Sequence, residues 1–259
     1  MSSPYTYRCE DPNEAVDLFI IGGGINGTAI ARDAAGRGLS VMLVEKGDLA
    51  SGTSSASTKL IHGGLRYLEY YEFRLVREAL QEREVLLEMA PHIIWPMRFV
   101  LPHVPMMRPA WMIRIGLFLY DHLGGRKILR GSGGINLKES PEGTPLAESV
   151  TKGFAYDDAW VEDSRLVILN AMDARDKGAI IGRDITFVSA RPENDLWEIQ
   201  LETDQGPLTV YARSLVNAGG AQAETIGRQI YDSRGDPTPV NPLRLVQGSH
   251  IVVPKLWEG

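Results

Sequence analysis

Three glycines near the N-terminus have the spacing of a nucleotide-binding turn. Gly22, Gly24 and Gly27 form the pattern G-x-G-x-x-G between an apolar run and a run of small, helix-favouring residues. In such a turn the first glycine permits a tight bend, the second lets backbone approach a pyrophosphate, and the third lets the helix pack close to the strand. The helix N-terminus then presents free amide groups, among them those of Ile25 and Asn26, to the phosphates.

A carboxylate stands where such a site would need one for the ribose. The pattern predicts a buried strand over 16–21, a helix over 28–35 and a second strand over 39–44 that Glu45 closes. Strand, turn, helix and strand in this order form one βαβ unit. A carboxylate at the tip of the second strand can accept hydrogen bonds from ribose hydroxyls and would repel a 2′-phosphate. The motif by itself does not separate FAD from NAD.

The composition is that of an ordinary globular chain. Of 259 residues, 44% are hydrophobic and 23% are charged, with a net charge of −6. These values exclude a disordered chain, and the mild acidity disfavours a nucleic-acid binder. The single cysteine, Cys9, permits no internal disulfide. The most apolar stretch, 111–120, is too short to span a membrane and is predicted to form a buried helix.

Further elements follow from the spacing of apolar and turn residues. An amphipathic helix is predicted over 72–90, because Phe73, Val76, Leu80 and Leu87 share a face. A loop or domain boundary is expected over 124–145 and a helix over 164–177. Short strand-like runs at 185–190, 196–202 and 208–212, separated by turns, predict an antiparallel meander. Two further strands are expected at 215–220 and at 250–253.

The segment GTSSASTKLIHGGLRYL, residues 52–68, resembles the corresponding loop of the FAD-dependent glycerol-3-phosphate dehydrogenases. The likeness continues in other segments and covers nearly the whole chain. These are MAPH at 89–92, RPAWMIRIGL at 108–117, YDHLG at 120–124, VNAG at 216–219 and GSHIVVP at 248–254.

The resemblance implies an α/β fold, with a doubly wound, Rossmann-like FAD-binding domain and an inserted α+β substrate-cap region. We expect 1–15 to form a leader, 16–90 and 160–235 the discontinuous FAD-binding domain, and 91–159 with 236–259 the cap. Relatives continue well beyond this C-terminus, so the chain is expected to be an N-terminal portion with an incomplete cap.

The resemblance also implies the chemistry. It implies FAD as cofactor, sn-glycerol 3-phosphate as hydride donor, dihydroxyacetone phosphate as product and a membrane quinone as electron acceptor. It further implies a cytoplasmic protein associated peripherally with the inner membrane, and it leaves a homodimer open. The flavin carries the hydride chemistry in such an enzyme, while the protein supplies position and charge.

The expected cofactor contacts combine the glycine turn with three other regions. Hydroxyls and turn amides of the Ser/Thr-rich loop can bind an anionic pyrophosphate. The segment 216–220 resembles the second glycine turn of this flavoprotein superfamily, and the backbone of one meander residue is expected at the adenine edge. The predicted cofactor residues are Gly22, Gly24, Ile25, Asn26, Gly27, Glu45, Thr53, Ser54, Ser57, Lys59, Leu60, Val188, Ala218 and Gly219.

Three residues are candidates for catalysis. His62 precedes two glycines that let backbone lie flat against a ligand, and an imidazole can assist deprotonation of an alcohol or orient it. Arg66 can grip a substrate phosphate bidentately, the alternative being a surface ion pair with Glu69. His250 begins the strand that the resemblance places toward the active site.

Two other functions stay open at this stage. A related flavin oxidase of amines or amino acids would fit the glycine motifs but not the segment around His62 and Arg66. A catalytically incomplete FAD-binding fragment would fit the truncated cap. The remaining histidines, His92, His103 and His122, are interpreted as structural, no metal is expected, and the absence of a Gly-x-Ser-x-Gly motif disfavours acyl transfer.

Overall fold

The computed structural model describes residues 11–232, 243–246 and 248–254. Within these ranges the regular elements alternate between helices and strands. In chain order they are β1 (Val16–Ile21), α1 (Ile25–Gly36), β2 (Val41–Glu45), β3 (Leu60–Ile61), α2 (Phe73–Met89), β4 (Ile94–Pro102), α3 (Ala110–Leu123), β5 (Gly133–Asn136), β6 (Lys152–Val161), α4 (Asp163–Asp176), β7 (Ile180–Arg183), β8 (Thr186–Glu193), β9 (Leu196–Thr203), β10 (Gly206–Asn217) and α5 (Ala223–Asp232).

The described residues divide into two compact units. The first comprises 11–57, 163–232 and 243–246, and the second comprises 58–162 and 248–254. The sequence placed the first domain boundary after residue 90, whereas the structure places it after residue 57. The reason is that β3 pairs with β6, and α2 packs on α3 and β4, all of them in the second unit.

The first unit is built on a six-stranded mixed sheet in the order β7-β2-β1-β10-β9-β8. β1 pairs in parallel with β2 and β10, and β2 pairs in parallel with β7. β10, β9 and β8 form an antiparallel meander. The predicted α/β class and the meander are therefore confirmed. The separate strand expected over 215–220 is instead the end of β10, which runs on from the meander to pair with β1.

Both faces of this sheet are covered, which explains the continuous apolar runs of its parallel strands. Phe19 and Ile21 of β1 belong to a core on one face with residues of the meander. Ile20 and Leu43 belong to a core on the other face, where Ala31 of α1 packs against them. Because successive strand residues point to opposite faces, a strand buried on both sides must be apolar at every position.

The second unit contains an antiparallel sheet in the order β3-β6-β4, and β5 also pairs with β6. α2 buries Val76, Leu80 and Leu87, as its amphipathic pattern predicted. The expectation of a strand followed by a loop over 95–109 is met by β4, whereas β5 lies within 124–145, which was expected to be a loop or domain boundary.

Two expectations for this unit were wrong. α3 is a helix, but only one side of it is buried: Leu117 and Tyr120 are buried, whereas Trp111 and Phe118 are 63% and 52% exposed. The strand expected over 250–253 does not form, because the described residues 248–254 pair with no other strand. No described helix has the combination of length and apolar character that crossing a membrane would require.

Candidate functional site

The glycine turn after β1 requires two of its glycines for steric reasons. Gly22 has φ +112°, and a Cβ there would lie 2.5 Å from the carbonyl oxygen of Ala218. A Cβ on Gly27 would overlap the carbonyl oxygen of Gly22. The first glycine thus permits the bend, and the third lets α1 approach the strand, as the fingerprint predicts.

The N-terminus of α1 opens directly from this turn. Gly24 is the N-cap residue of α1 and, as a glycine, has no side chain that could cap the helix. The amide of Ile25 donates to Ser54 Oγ at 3.0 Å, whereas Asn26 and Gly27 contribute the next amides of the first turn. Amides at a helix N-terminus lack intrahelical partners and carry the positive end of the helix dipole. The arrangement suits an anion such as a pyrophosphate.

Glu45 closes β2 beside the same turn. Its Oε2 accepts a hydrogen bond from the Gly23 amide at 2.7 Å, and its Oε1 accepts one from the Gly47 amide at 3.1 Å. A carboxylate has about four lone-pair sites, so two remain for further donors. The carboxylate therefore both orders the glycine turn and retains the capacity to accept ribose hydroxyls.

The start of the Ser/Thr-rich loop lies against two helix N-termini. Thr53 and Ser54 belong to a short 3-10 turn, Thr53–Ser55, from which Ser54 reaches the first turn of α1. Ser57 Oγ donates to Asp163 Oδ2 at 2.8 Å, at the beginning of α4. The structure thus brings Ser54 to the glycine turn, while the hydroxyl hydrogen of Ser57 is engaged by Asp163.

The second glycine turn meets the first. The amide of Ala218 donates to the carbonyl of Ile21 at 2.8 Å, and the Gly219 amide donates to Asn217 Oδ1 at 3.1 Å. The carboxyl ends of the parallel strands β1 and β10 therefore stand side by side with a glycine turn on each. Such sheets bind nucleotides in the crevice outside the carboxyl ends of neighbouring parallel strands.

Val188 lies elsewhere on the sheet. It falls at an irregularity of β8 between Phe187 and Ser189, and its side chain is 46% exposed. In the strand order, β10 and β9 separate β8 from β1. The structure does not bring Val188 to the glycine turns, and its role at the adenine stays a prediction.

The remaining predicted cofactor residues belong to the second unit. Lys59 has φ +57°, and its carbonyl accepts from the Val161 amide at 2.9 Å. Leu60 lies in β3 opposite Trp160 of β6. The backbone of both residues is thus hydrogen-bonded or paired to β6, and their contact with a cofactor stays a prediction. His250 is exposed in the segment 248–254 and is not held in a strand.

His62 and Arg66 lie on one loop of the second unit. His62 is exposed, and its Nδ1 accepts a hydrogen bond from the Gly64 amide at 3.0 Å. Arg66 is exposed in a 3-10 helix, Leu65–Tyr70, and forms no ion pair within the part of the chain that the structure describes. The alternative partner, Glu69, pairs with Arg108 at 3.2 Å instead. Arg66 is thus available to an anionic ligand.

A buried polar cluster that the sequence analysis missed lies beneath this loop. Tyr120 Oη accepts from the Gly63 amide at 2.7 Å and donates to Asp158. Arg83 Nη1 donates to Asp158 Oδ1 at 2.5 Å. Arg83 also approaches Glu84, at 3.3 Å. We call Tyr120, Asp158 and Arg83 the Tyr120 network.

Burial governs the ionisation of this network. Burial raises the pKa of Asp158, against the lowering effects of the Arg83 charge and the Tyr120 hydroxyl. Burial, together with the charge of Asp158, raises the pKa of Tyr120 so that its hydroxyl keeps its proton. A signal was available in the sequence, because Arg83 stands three residues after Leu80 and four before Leu87, on the apolar face of the predicted helix.

Two of the histidines interpreted as structural, His103 and His122, contact backbone. His103 Nε2 lies 2.9 Å from the carbonyl oxygen of Arg108, and His122 Nδ1 lies 2.7 Å from that of Phe118. Among the described residues, no three His, Cys, Asp or Glu side chains gather in a way that could hold a metal ion.

Together, the adjacent carboxyl ends of β1 and β10 and the glycine turn on each define a dinucleotide-binding fold. The model of one family, FAD dependent oxidoreductase (DAO), matches residues 17–259. The chain belongs to this family, whose cofactor is FAD, which confirms the predicted cofactor and fold class.

Relatives with named activities are similar over almost all of the chain. It is 60% identical over 248 residues to D-erythritol 1-phosphate dehydrogenase of Brucella abortus (strain 2308), covering 95% of this chain and 49% of the relative. It is 57% identical over 258 residues to glycerol-3-phosphate dehydrogenase of Pseudomonas tolaasii, covering 99% and 49%. It is 55% identical over 246 residues to aerobic glycerol-3-phosphate dehydrogenase of Escherichia coli (strain K12), covering 94% and 48%. The chain spans about half the length of these curated relatives.

Solved structures with bound FAD have the same fold. The glycerol-3-phosphate dehydrogenase from Bacillus halodurans complexed with FAD matches with a TM-score of 0.63 and 28% identity, over 86% of this chain and 38% of that one. L-alpha-glycerophosphate oxidase from Mycoplasma pneumoniae with FAD bound matches with a TM-score of 0.67 and 16% identity, over 83% and 57%. At that identity the second match concerns the fold alone.

The residues of the first unit fit FAD. At Gly22 and Gly27 a Cβ would fill the space next to the turn, and the first amides of α1 lack intrahelical partners; both features suit the diphosphate of such a cofactor. The Glu45 carboxylate, with lone pairs left after its two backbone hydrogen bonds, suits the ribose.

Proposed function

We propose that the protein from which this sequence comes oxidises a polyol phosphate, with sn-glycerol 3-phosphate converted to dihydroxyacetone phosphate. The observation that carries this proposal is the 55–57% identity to glycerol-3-phosphate dehydrogenases over 94–99% of the chain. The matched region covers 94–99% of the chain, so it includes more than the cofactor fingerprint.

The chain's own residues divide the work in this proposal. FAD, when bound, supplies the acceptor for the hydride from the secondary carbon of the substrate. Gly22, Gly27 and the N-terminus of α1 hold its diphosphate, and Glu45 holds its ribose. Arg66 binds the substrate phosphate with its unpaired guanidinium, and His62 forms a hydrogen bond to the hydroxyl oxygen on the carbon that is oxidised.

D-erythritol 1-phosphate is the second candidate substrate. The relative named for that activity is 60% identical, against 57% for the relative from Pseudomonas tolaasii. Both compounds are phosphorylated polyols with secondary hydroxyls, and they differ by one hydroxymethylene group. A difference of three percentage points does not separate them, so the substrate must be decided by measurement.

The electron acceptor and the location follow from the resemblance alone. We propose that electrons pass to a quinone at the cytoplasmic surface of the inner membrane, where the protein associates peripherally. The exposed apolar side chains of α3, with Arg108 and Arg114 near them, are compatible with an interfacial position. A homodimer is a further proposal that the resemblance leaves open.

Anaerobic flavin bleaching tests the proposed substrate. The protein is expressed from its complete natural reading frame, purified with FAD, and mixed without oxygen with sn-glycerol 3-phosphate, D-erythritol 1-phosphate, glycerol or glycine. We expect fast loss of the oxidised flavin absorbance with one polyol phosphate and only slow loss with glycerol. Bleaching by glycine alone would contradict the proposal in favour of an amino-acid oxidase. A quinone analogue added afterwards should restore the absorbance.

A further inference from the structure

The hydrogen bond between Gly64 and His62 fixes where the proton of the imidazole resides. The Gly64 amide lies 3.0 Å from His62 Nδ1. A backbone amide can only donate, so Nδ1 must be the acceptor and must carry no hydrogen. A neutral imidazole has one N–H, which therefore resides on Nε2.

The backbone that makes this bond is held from below. The Gly63 amide donates to Tyr120 Oη at 2.7 Å, and the Tyr120 hydroxyl donates to Asp158 at 2.8 Å. Arg83 completes the network at 2.5 Å from Asp158. Because the one hydroxyl hydrogen of Tyr120 goes to Asp158, its oxygen lone pairs face Gly63, so the donors and acceptors are consistent along the whole network.

Burial shows that the network anchors the loop. Tyr120, Arg83 and Asp158 are 2%, 2% and 4% exposed, whereas the ring of His62 is exposed. A Cβ on Gly63 would overlap Leu80 and lie 2.9 Å from the ring of Tyr120, so the loop backbone has no room to move inward. Gly63 and Gly64 are thus pinned while the imidazole projects outward.

We propose, resting on the proposed function, that His62 binds the substrate as an N–H donor through Nε2 and does not take the hydroxyl proton, and that the Tyr120 network is the positioning device that keeps it in this tautomer. The substrate oxygen accepts the hydrogen bond, no proton moves to His62, and the hydroxyl proton passes to solvent water, which reaches the exposed ring of His62. Tyr120 acts through the Gly63 and Gly64 backbone and does not touch the substrate.

The first experiment measures the tautomer directly. Two-bond proton–nitrogen spectra are recorded on the FAD-loaded protein, expressed from its complete natural reading frame with 15N-labelled histidine, and the His62 signal is assigned from His62→Gln. We expect the pattern of a ring protonated on Nε2 alone. Tyr120→Phe removes the acceptor of the Gly63 amide, so the His62 signal should shift toward a mixture of tautomers. Tyr156→Phe removes a hydroxyl from the ring that packs next to Tyr120, and it should leave the His62 signal unchanged.

A ring protonated on Nδ1 in the unmutated protein would overturn the proposal, and that result needs no variant to fold. An unchanged His62 signal in a folded Tyr120→Phe protein would overturn the positioning role.

The second experiment separates a donor from a base. His62→Gln retains an N–H donor at about the reach of Nε2 but no basic group, whereas His62→Ala retains neither. A donor role predicts a kcat about 100-fold lower for His62→Ala and within about tenfold of the unmutated value for His62→Gln. Equal losses in both variants would overturn the donor role. A protein that oxidises neither polyol phosphate would refute the proposed function, while the tautomer measurement would still decide the assignment for His62.

Discussion

The carbonyl oxygen of Gly22 lies where a methyl group on Gly27 would have to stand. The two glycines are five positions apart in the sequence, and the contact between them brings the first turn of α1 against the end of β1. The close approach leaves the amides at the start of the helix next to the Ala218 turn. This single relationship makes the cofactor cradle sensitive to the smallest side chain.

Gly27→Ala should therefore abolish FAD binding. Its Cβ would meet backbone, which cannot rotate away, so we expect a loss of about 1–3 kcal/mol of stability or more. The absorbance of bound flavin and the thermal midpoint report the two effects. Gly36→Ala is the matched control in the same helix, because a Cβ there would meet only the end of the Lys177 side chain, at 3.8 Å. A Gly27→Ala protein that purifies yellow would contradict the proposed packing.

Glu45→Gln should weaken FAD binding by roughly tenfold to a hundredfold. The substitution replaces one acceptor oxygen by an amide donor, while Gly23 and Gly47 both present amides to it. Hydrogen bonds to charged groups contribute about 1.5–3 kcal/mol each. Titration of the apoprotein with FAD gives the dissociation constant. Asp48→Asn serves as the control, since that nearby exposed acid pairs with Arg183, and equal effects of both variants would refute a specific role for Glu45.

Arg66→Ala should raise KM for the phosphorylated substrate by about 10- to 100-fold, because a charge-assisted contact to phosphate is lost. The small activity on unphosphorylated glycerol, if measurable, should not change. Steady-state kinetics on both compounds check this expectation. Arg77→Ala, an exposed arginine of α2, provides the comparison. A proportional loss on both compounds would argue against phosphate recognition by Arg66.

Arg83→Leu should destabilise the second unit by about 3–5 kcal/mol, because Asp158 and Glu84 would remain buried without a counter-charge. Chemical denaturation measures this loss. Arg74→Leu on the exposed side of α2 removes only a surface pair with Glu78 and should cost about 0.5 kcal/mol or less. Similar losses of unfolding free energy at both positions would mean that the buried ion pairs of Arg83 contribute no more to stability than the surface pair of Arg74.

Asp17 should contribute to stability only above acidic pH. Hydrogen bonds from the Ser40 hydroxyl and amide, then from Arg213, lower the pKa of its carboxyl. A lowered folded-state pKa stabilises the fold above the unfolded value of about 3.9, and this contribution is lost as pH falls through the folded pKa. Asp17→Asn should remove roughly 0.5 kcal/mol of the pH-dependent stability, since the pair is partly exposed, and the thermal midpoint should therefore fall less on acidification. Ser40→Ala should reproduce part of the effect, and an unaltered pH dependence in both would contradict it.

Local pattern was sufficient for most elements of the first unit, but not for β7 and α5, for which no element was predicted. The strand at 16–21, the glycine turn and the acidic end of β2 follow from periodicity and from the conformational freedom of glycine, both of which act over a few residues. The meander likewise follows from alternation and turns. The loop with His62 and Arg66 came from the resemblance to a family, and its cofactor and substrate contacts remain predictions.

Long-range packing decided what the sequence alone could not. The pairing of β10 with β1, the exposure of α3 and the place of the boundary near residue 57 depend on which apolar surfaces meet. Tyr120 reaches Gly63 across 57 positions of sequence. No local signal encodes such a contact, because burial of a polar group is favourable only when distant partners satisfy it. The sequence by itself determined the nucleotide-binding turn, whereas the tertiary structure determined which way His62 presents its hydrogen.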